Sequence, residues 1–405
     1  MQNVEKVFII QPVFNNNWRV LHDEAVALIE SAGGAYCGSS YQNIREINPA
    51  TFVGSGKLAE IGRTLEGLDD ITILFNGELS PSQTLNISAA LGGRKVIDRT
   101  TLILDIFALH AVTSEGKVQV ELSQLKYIYP RLKGKGAALS RLGGGIGSRG
   151  PGETQLETDR RYIRYRMKFL EKRLAEMETR RALHSGRRAK DDAKTVALVG
   201  YTNTGKSSIM NALTGAGVLE KNALFATLDP TARALEIDGV RYILIDTVGF
   251  IQQLPHDIVE AFKSTLESAV SCDLALFVAD ASGDYRMQFE TTFSTILSLG
   301  FDKPYLKVLN KCDLVDSTDD LPGDCIYISA RNNQGLDELK RRIAESFADR
   351  YTGLTLFIPY KNMGEYSALG NFITEKGRNF TDDGLEVDCT VENIYLPRVS
   401  KFIKA

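Results

Sequence analysis

The chain has 405 residues, 43% of them hydrophobic and 24% charged, with a formal net charge of −3. That balance belongs to folded globular proteins and excludes a disordered or low-complexity chain, while the length exceeds what one core ordinarily organises, so about two to four domains are expected. No apolar run approaches the roughly 18 residues of a membrane helix, Met1 to Lys6 lacks the apolar stretch of a secretion signal, and Cys37, Cys272, Cys312, Cys325 and Cys389 are scattered without a Cys-x-x-Cys pair. A cytoplasmic protein with no membrane span, reduced thiols and no zinc centre is the expectation.

Residues 1–108 alternate β-like and amphipathic runs. Strands are predicted over Lys6–Ile10, Ile71–Phe75 and Lys95–Ile97, with helices over Trp18–Ser31 and Ser80–Leu91, which together read as a small α/β subdomain with a largely parallel sheet. Within it, Gly54-Ser55-Gly56-Lys57 looks like a fragment of a phosphate loop. Thr51 stands where the first glycine should be and Leu58 where a magnesium-binding hydroxyl should be, so a structural turn is the better reading.

Residues 109–190 change character. Val118, Leu122, Leu125, Tyr129 and Leu132 recur at alternating spacings of four and three, as do Ile163, Met167, Leu170, Leu174 and Met177, and such seams predict two helices packed as a hairpin. Pro130 should end or kink the first helix near its tip. Between the two lies a Gly-rich loop (133–152) with eight glycines from Gly134 to Gly152 and the cations Lys133, Lys135, Arg141 and Arg149. It cannot form a core; it reads either as a loop able to approach a phosphate backbone closely or as a linker. From Lys117 to Lys190 there are 19 Lys+Arg against 7 Asp+Glu, a local +12, leaving −15 for the rest of the chain. Such segregation points to a polyanion-binding element. Tyr162, Tyr165 and Phe169, set among Arg160, Arg161, Arg164 and Arg166, suit either stacking on RNA bases or packing on the hairpin seam. His184 to Asp192 breaks the periodicity and reads as a linker.

Residues 191–350 hold the chemistry. Gly200-Tyr201-Thr202-Asn203-Thr204-Gly205-Lys206-Ser207 fits the Gly-x-x-x-x-Gly-Lys-Ser cradle at every fixed position, after the apolar strand Thr195–Val199 and before a helix beginning near Ser208. Its N–H groups can face a β-phosphate, Lys206 can reach the β- and γ-phosphate oxygens, and the Ser207 hydroxyl can ligate Mg²⁺. Asp246-Thr247-Val248-Gly249 follows one predicted strand and Asn310-Lys311-Cys312-Asp313 another. Asp313 can accept from guanine N1–H and its exocyclic amine, whereas adenine presents an acceptor there, so GTP is expected and ATP rejected. Asp246 should hold the Mg²⁺ shell through water, Gly249 can approach the γ-phosphate, and Ser329-Ala330-Arg331 fits a loop over the base. Four such motifs in order predict a doubly wound P-loop GTPase domain. Residues 351–405 read as a small α+β domain, with a strand over Leu354–Ile358, a helical segment over Asn362–Thr374, and strands around Gly384–Thr390 and Val391–Leu396.

Three blocks resemble the HflX family of translational GTPases: Asn48 to Lys57, Arg141 to Arg161, and Phe225 to Thr231 with Asp246 to Phe250. The resemblance implies a factor that binds the large ribosomal subunit, its rRNA and its proteins, hydrolyses GTP to GDP, and splits or rescues stalled ribosomes, being monomeric away from them. It further implies a first switch at Phe225, Ala226, Thr227, Leu228 and Asp229, with Thr227 near Mg²⁺ and Thr231 as the competing residue. Phe250 stands where Ras-like enzymes carry the glutamine that orients the attacking water, and Gln252 and Gln253 are out of register, so intrinsic turnover should be slow and stimulated by the ribosome. Lys206, Thr227 and Gly249 are then the residues expected to serve hydrolysis. Asn203 is a candidate to help hold K⁺ or simply a cap on the loop. The resemblance also leaves room for an adenine-nucleotide activity in the first domain. An RNA remodeller driven by nucleotide hydrolysis and a signalling GTPase with a protein partner are the rival readings.

Overall fold

A computed structural model describes residues 4–14, 18–68, 70–132, 151–188, 194–215, 224–225, 230–252, 266, 269–317, 321–348, 351–370 and 372–404. The loop carrying Lys133, Lys135, Arg141 and Arg149, the segment Ala226 to Asp229 with Thr227, and Gln253 all lie outside the described residues. The chain divides into two compact units, one drawn from Met1–Asp191, Glu220–Pro230 and Thr247–Glu267, the other from Asp192–Leu219, Thr231–Asp246 and Ser268–Ala405.

The first unit is built on a four-stranded, fully parallel sheet in the order β2-β1-β3-β4, formed by β1 (Lys6–Val13), β2 (Ala35–Asn43), β3 (Ile71–Phe75) and β4 (Val96–Asp98). The two central strands are near-continuous apolar runs because they are covered on both faces. Helix α1 (Trp18–Ser31) buries Leu21, Ala25, Leu28 and Ile29, the stripe its periodicity predicts. Ser80 and Gln83 form a capping box ahead of α3 (Pro81–Ala90), with Pro81 at the tolerated first position.

Three elements of this unit escaped prediction. Strand β2 is a sheet edge, polar and only partly covered. Helix α2 (Ser55–Thr64) begins at Gly54, and Lys57 turns onto Glu60 at 2.8 Å, so the phosphate-loop-like fragment forms a helix start. Helix α4 (Arg99–His110) buries Leu102, Ile103, Leu104, Ile106 and Phe107, but its exposed face carries Ala108 and Leu109 beside Asp105, so it shows little amphipathic signal. Its one clear mark is Asp98, which caps it by accepting from Thr101 N at 2.9 Å.

The hairpin consists of α5 (Ser114–Arg131) and α6 (Pro151–Arg188). Val118, Leu122 and Leu170 are buried at its seam, with Leu125, Met167 and Leu174 packed beside them. Arg166 clamps Glu121 through two bonds of 2.7 and 2.9 Å. Tyr162, Tyr165 and Phe169 are 68%, 71% and 46% exposed, so the seam alternative for them is overturned. Pro130 sits in the final turn of α5, which ends one residue later. The linker expected from His184 is instead helical as far as Arg188, the glycine at 186 being tolerated at a cost of about 1 kcal/mol.

The second unit carries a six-stranded sheet in the order β10-β9-β8-β5-β7-β6, with only β6 antiparallel. Its strands are β5 (Lys194–Gly200), β6 (Thr231–Ile237), β7 (Val240–Asp246), β8 (Leu274–Asp280), β9 (Tyr305–Asn310) and β10 (Cys325–Tyr327), joined by α7 (Lys206–Thr214), α8 (Tyr285–Ser298) and α9 (Leu336–Ser346). A three-stranded antiparallel sheet follows, ordered β11-β13-β12 from β11 (Tyr351–Pro359), β12 (Ile373–Phe380) and β13 (Gly384–Glu392). The helix expected over 362–374 is shorter, α10 (Met363–Leu369), and a strand starts at Ile373. The two strands expected over 384–396 are one, whose Leu385, Val387, Cys389 and Val391 alternate into the core. A partly buried ion pair between Lys194 on β5 and Glu392 ties the two sheets of this unit together.

Candidate nucleotide-binding site

The carboxyl ends of four strands deliver the predicted motifs to one edge of the six-stranded sheet: Gly200 closes β5, Asp246 closes β7, Asn310 closes β9, and Ser329 follows β10 by two residues. That is where open α/β sheets bind ligands, because the loops there converge and the following helices point their N-termini outward.

The cradle runs from Gly200 to α7. A Cβ on Gly200 would lie 2.2 Å from the Val278 carbonyl oxygen. Gly205 has φ +85°, and a Cβ there would lie 2.3 Å from Asn310 Nδ2, so both positions exclude side chains for separate reasons, contact and conformation. Asn203 also takes the left-handed conformation, with φ +58°. Lys206 is buried, and its Nζ donates to the carbonyls of Gly200 at 3.0 Å and Tyr201 at 2.7 Å. Burial pushes its ammonium down to about 8, against the opposing pull of the Asp246 carboxylate. A polyphosphate beside it would supply the countercharge that the loop carbonyls only partly provide.

Ser207 Oγ donates to Asp246 Oδ2 at 2.6 Å. The hydroxyl and the carboxylate, separated by 39 residues in sequence, are thus the hard oxygen donors that a small divalent cation requires. Thr231 opens β6 directly opposite Asp246 in the antiparallel ladder. Thr227, the favoured residue for that role, lies outside the described residues.

Asn310 holds together the cradle, its own loop and the loop Ser329–Arg331. Its Nδ2 donates to the Thr204 carbonyl at 2.8 Å, and its Oδ1 accepts from Ala330 N at 3.0 Å. Lys311 has φ +63° and pairs with Asp280 at 2.6 Å. Asp313 follows in a short 3₁₀ turn, and the Ser329 hydroxyl donates to its Oδ1 at 2.6 Å. The carboxylate is therefore oriented by a fully buried serine. Ala330 is buried and Arg331 is exposed. Asp280 and Ser329's bonding role were not legible from motif spacing; an aspartate ending an apolar strand was the available signal for the first.

The segment after Asp246 belongs to the first unit. There Phe250 and Ile251 are each 2% exposed, and Thr247, Val248 and Gly249 are buried. Gln252 N donates to Glu24 Oε1 at 3.4 Å while its carbonyl accepts from Arg99 Nη2 at 3.2 Å. Arg99 and Glu24 are themselves a buried ion pair, and Arg99 Nη1 also donates to Asn76 Oδ1 at 2.9 Å. Leu224 N donates to Ser31 Oγ at 2.9 Å, and Phe225 (φ +59°) meets Phe107 edge-on at 4.6 Å between centroids. Of the hairpin residues predicted to meet RNA, Arg161 is exposed, whereas Arg160 is half-buried over the Tyr129 ring at 5.3 Å.

Three family models match consecutive stretches: a GTP-binding GTPase N-terminal region over residues 21–108, a GTP-binding GTPase middle region over 110–188, and a 50S ribosome-binding GTPase over 195–311. The chain is 44% identical to the GTPase HflX of Caldanaerobacter subterraneus over 388 residues, 94% of this chain and 90% of that protein. It is 41% identical to the Escherichia coli GTPase HflX over 347 residues, covering 83% and 81% of the two chains. A crystal structure of a GTP-binding protein from Sulfolobus solfataricus in complex with GDP aligns with 25% identity and a TM-score of 0.46, over 85% of this chain and 99% of that one. With 44% identity to a family member over 94% of its length, the chain belongs to the HflX family of GTPases, and it binds and hydrolyses GTP.

Proposed function

We propose that the protein is a GTP-gated factor that binds the large ribosomal subunit through its helical hairpin and splits or rescues stalled ribosomes. The observation that carries this reading is the hairpin itself: two long helices locked by an apolar seam, bearing most of the local +12 charge, and joined by a glycine-rich loop. Lys133, Lys135, Arg141, Arg149 and Arg161 would serve as phosphate contacts, since cations beside glycines approach an RNA backbone with little steric bulk. The family model whose description names the 50S ribosome, over residues 195–311, supports the same partner. No helix among the described residues is long and apolar enough to cross a membrane, which accords with a ribosome-facing role in the cytoplasm.

Within the site, Gly200 to Ser208 would cradle the triphosphate, Asp313 would read guanine under the loop Ser329 to Arg331, and Gly249 would meet the γ-phosphate. Ser207, Thr227 and, through water, Asp246 would hold Mg²⁺, which neutralises charge on the phosphates when bound. Asn203 would contribute to a K⁺ site, which a K⁺-for-Na⁺ exchange in the activity assay tests. Phe250 is buried and offers no hydrogen bond to a water, so intrinsic hydrolysis should be slow, and the large subunit would supply the positioning that is missing.

The test is salt-sensitive co-sedimentation with large subunits in GTP, a non-hydrolysable analogue and GDP, run beside a variant lacking residues 142–152. Binding in the triphosphate states that falls with the deletion supports the proposal. Equal binding to naked RNA in all states would favour an RNA remodeller instead, and a GTPase rate unmoved by added subunits would refute the stimulation.

A further inference from the structure

Along α6 the residues Tyr162, Tyr165 and Phe169 follow one another at spacings of three and four, so their side chains form one stripe on the helix surface. All three are solvent-exposed, at 68%, 71% and 46%. The seam that holds α6 to α5 uses Met167, Leu170 and Leu174 instead, a different face of the same helix. Large exposed aromatics in a row require an explanation, because each leaves apolar area in water.

The surroundings of the stripe indicate what would cover it. Arg161, Lys168 and Lys172 lie alongside the rings, all exposed, and none makes an ion pair with any described residue. Arg166 is held by Glu121 with its guanidinium 5.5 Å from the Phe169 ring centroid, which steadies that ring. Arg164 is turned the other way, onto the Tyr129 hydroxyl at 3.1 Å. Flat rings bordered by unpaired cations, with no aliphatic side chain among them, match a nucleic-acid strand better than a protein surface, whose contact core needs apolar area free of charge. The rise from Tyr162 to Phe169 is about 10 Å at 1.5 Å per residue, enough for two or three successive bases.

We propose that this outer face of α6 is a stacking platform for an unpaired RNA segment, with Tyr162, Tyr165 and Phe169 receiving bases and Arg161, Lys168 and Lys172 following the backbone. It rests on the reading of the hairpin as an RNA-facing arm, and adds that the RNA it recognises is single-stranded at this face. A duplex keeps its bases stacked on each other and could engage only the cations.

The test uses the full-length protein and fluorescence anisotropy with a short mixed-sequence single-stranded RNA and the matching duplex. Replacing Tyr162, Tyr165 and Phe169 together by alanine should weaken single-strand binding on the order of 100-fold or more and leave duplex binding unchanged. Tyr162→Phe with Tyr165→Phe should bind like the parent, since the rings remain. Lys168→Glu with Lys172→Glu should weaken both ligands and flatten the salt dependence. Because no seam residue is altered, all variants should keep the parent's melting temperature, which checks the fold. Single-strand affinity unchanged in the triple alanine variant, or a parent that binds duplex as tightly as single strand, would overturn the proposal. Co-sedimentation separates it from the broader reading. Ring-dependent RNA binding without large-subunit binding would remove the ribosome and keep the platform, and large-subunit and single-strand binding both indifferent to the rings would do the reverse.

Discussion

Asn310 Nδ2 donates to the main-chain carbonyl of Thr204 across 106 residues of sequence, at 2.8 Å, while its Oδ1 receives Ala330 N at 3.0 Å. One buried amide thereby joins the cradle loop to the loops that carry Asp313 and Ser329. Asn310→Ala would strip a buried carbonyl and a buried N–H of their partner, at about 1–3 kcal/mol each. Melting followed with and without GDP should show a lower Tm and a smaller GDP-induced rise. If the GDP-induced rise were undiminished, the amide would not be coupling the loops.

The Ser329 hydroxyl orients the Asp313 carboxylate, which in the proposed site would read the base as an acceptor. Asp313→Asn would present an amide donor to guanine's N–H groups, replacing attraction by a donor–donor clash, and charge-assisted hydrogen bonds of this kind contribute about 1.5–3 kcal/mol each. GTP affinity should fall at least about tenfold, and xanthosine triphosphate, which carries a carbonyl where guanine carries its amine, should gain. Competition of the two nucleotides against a fluorescent GDP analogue measures both changes, and unaltered preference would remove Asp313 from base recognition.

Arg99 and Glu24 form a buried ion pair that also takes both main-chain groups of Gln252. Removing one partner leaves the other charge buried and alone, so Arg99→Leu should destabilise the protein by about 3–5 kcal/mol. Glu24→Gln keeps the shape and should cost less. In urea unfolding the double variant should lose less than the sum of the single losses, because the uncompensated charge is gone. Strict additivity would mean that the two side chains act independently.

Leu170 and Phe169 are neighbours in sequence on different faces of α6, one fully buried in the seam and the other 46% exposed. Leu170→Ala should cost about 2–5 kcal/mol, and Phe169→Ala should stay within about 0.5 kcal/mol. Urea midpoints of the two variants provide the comparison, and equal losses would contradict the assignment of faces.

The motif-bearing strand ends were legible in the linear sequence because phosphate and base recognition demand fixed residue types at fixed short spacings, and each motif sits on one loop. Helix α1 was legible to the residue, since one of its faces is apolar and the other wet. Helix α4 was not, because its exposed face bears the apolar Ala108 and Leu109 while Arg99 and Thr100 are buried, which blunts the periodic contrast. Strand β12 was missed because Glu375, Lys376, Arg378 and Asn379 make its sequence as polar as a loop, and only pairing with β13 makes it a strand.

Residue types and spacing were thus enough to predict a phosphate cradle, a guanine-reading motif and a basic hairpin, since each is a local pattern of chemistry. Folding in three dimensions decided which face of α6 carries Tyr162, Tyr165 and Phe169, because the seam is chosen by the partner helix. It also decided that Leu224, Phe225 and Gln252, read from the sequence as parts of the nucleotide domain, meet Ser31, Phe107, Glu24 and Arg99. Contacts between residues a hundred or more positions apart leave no spacing in the chain, and are fixed only when packed cores and buried charges find their partners.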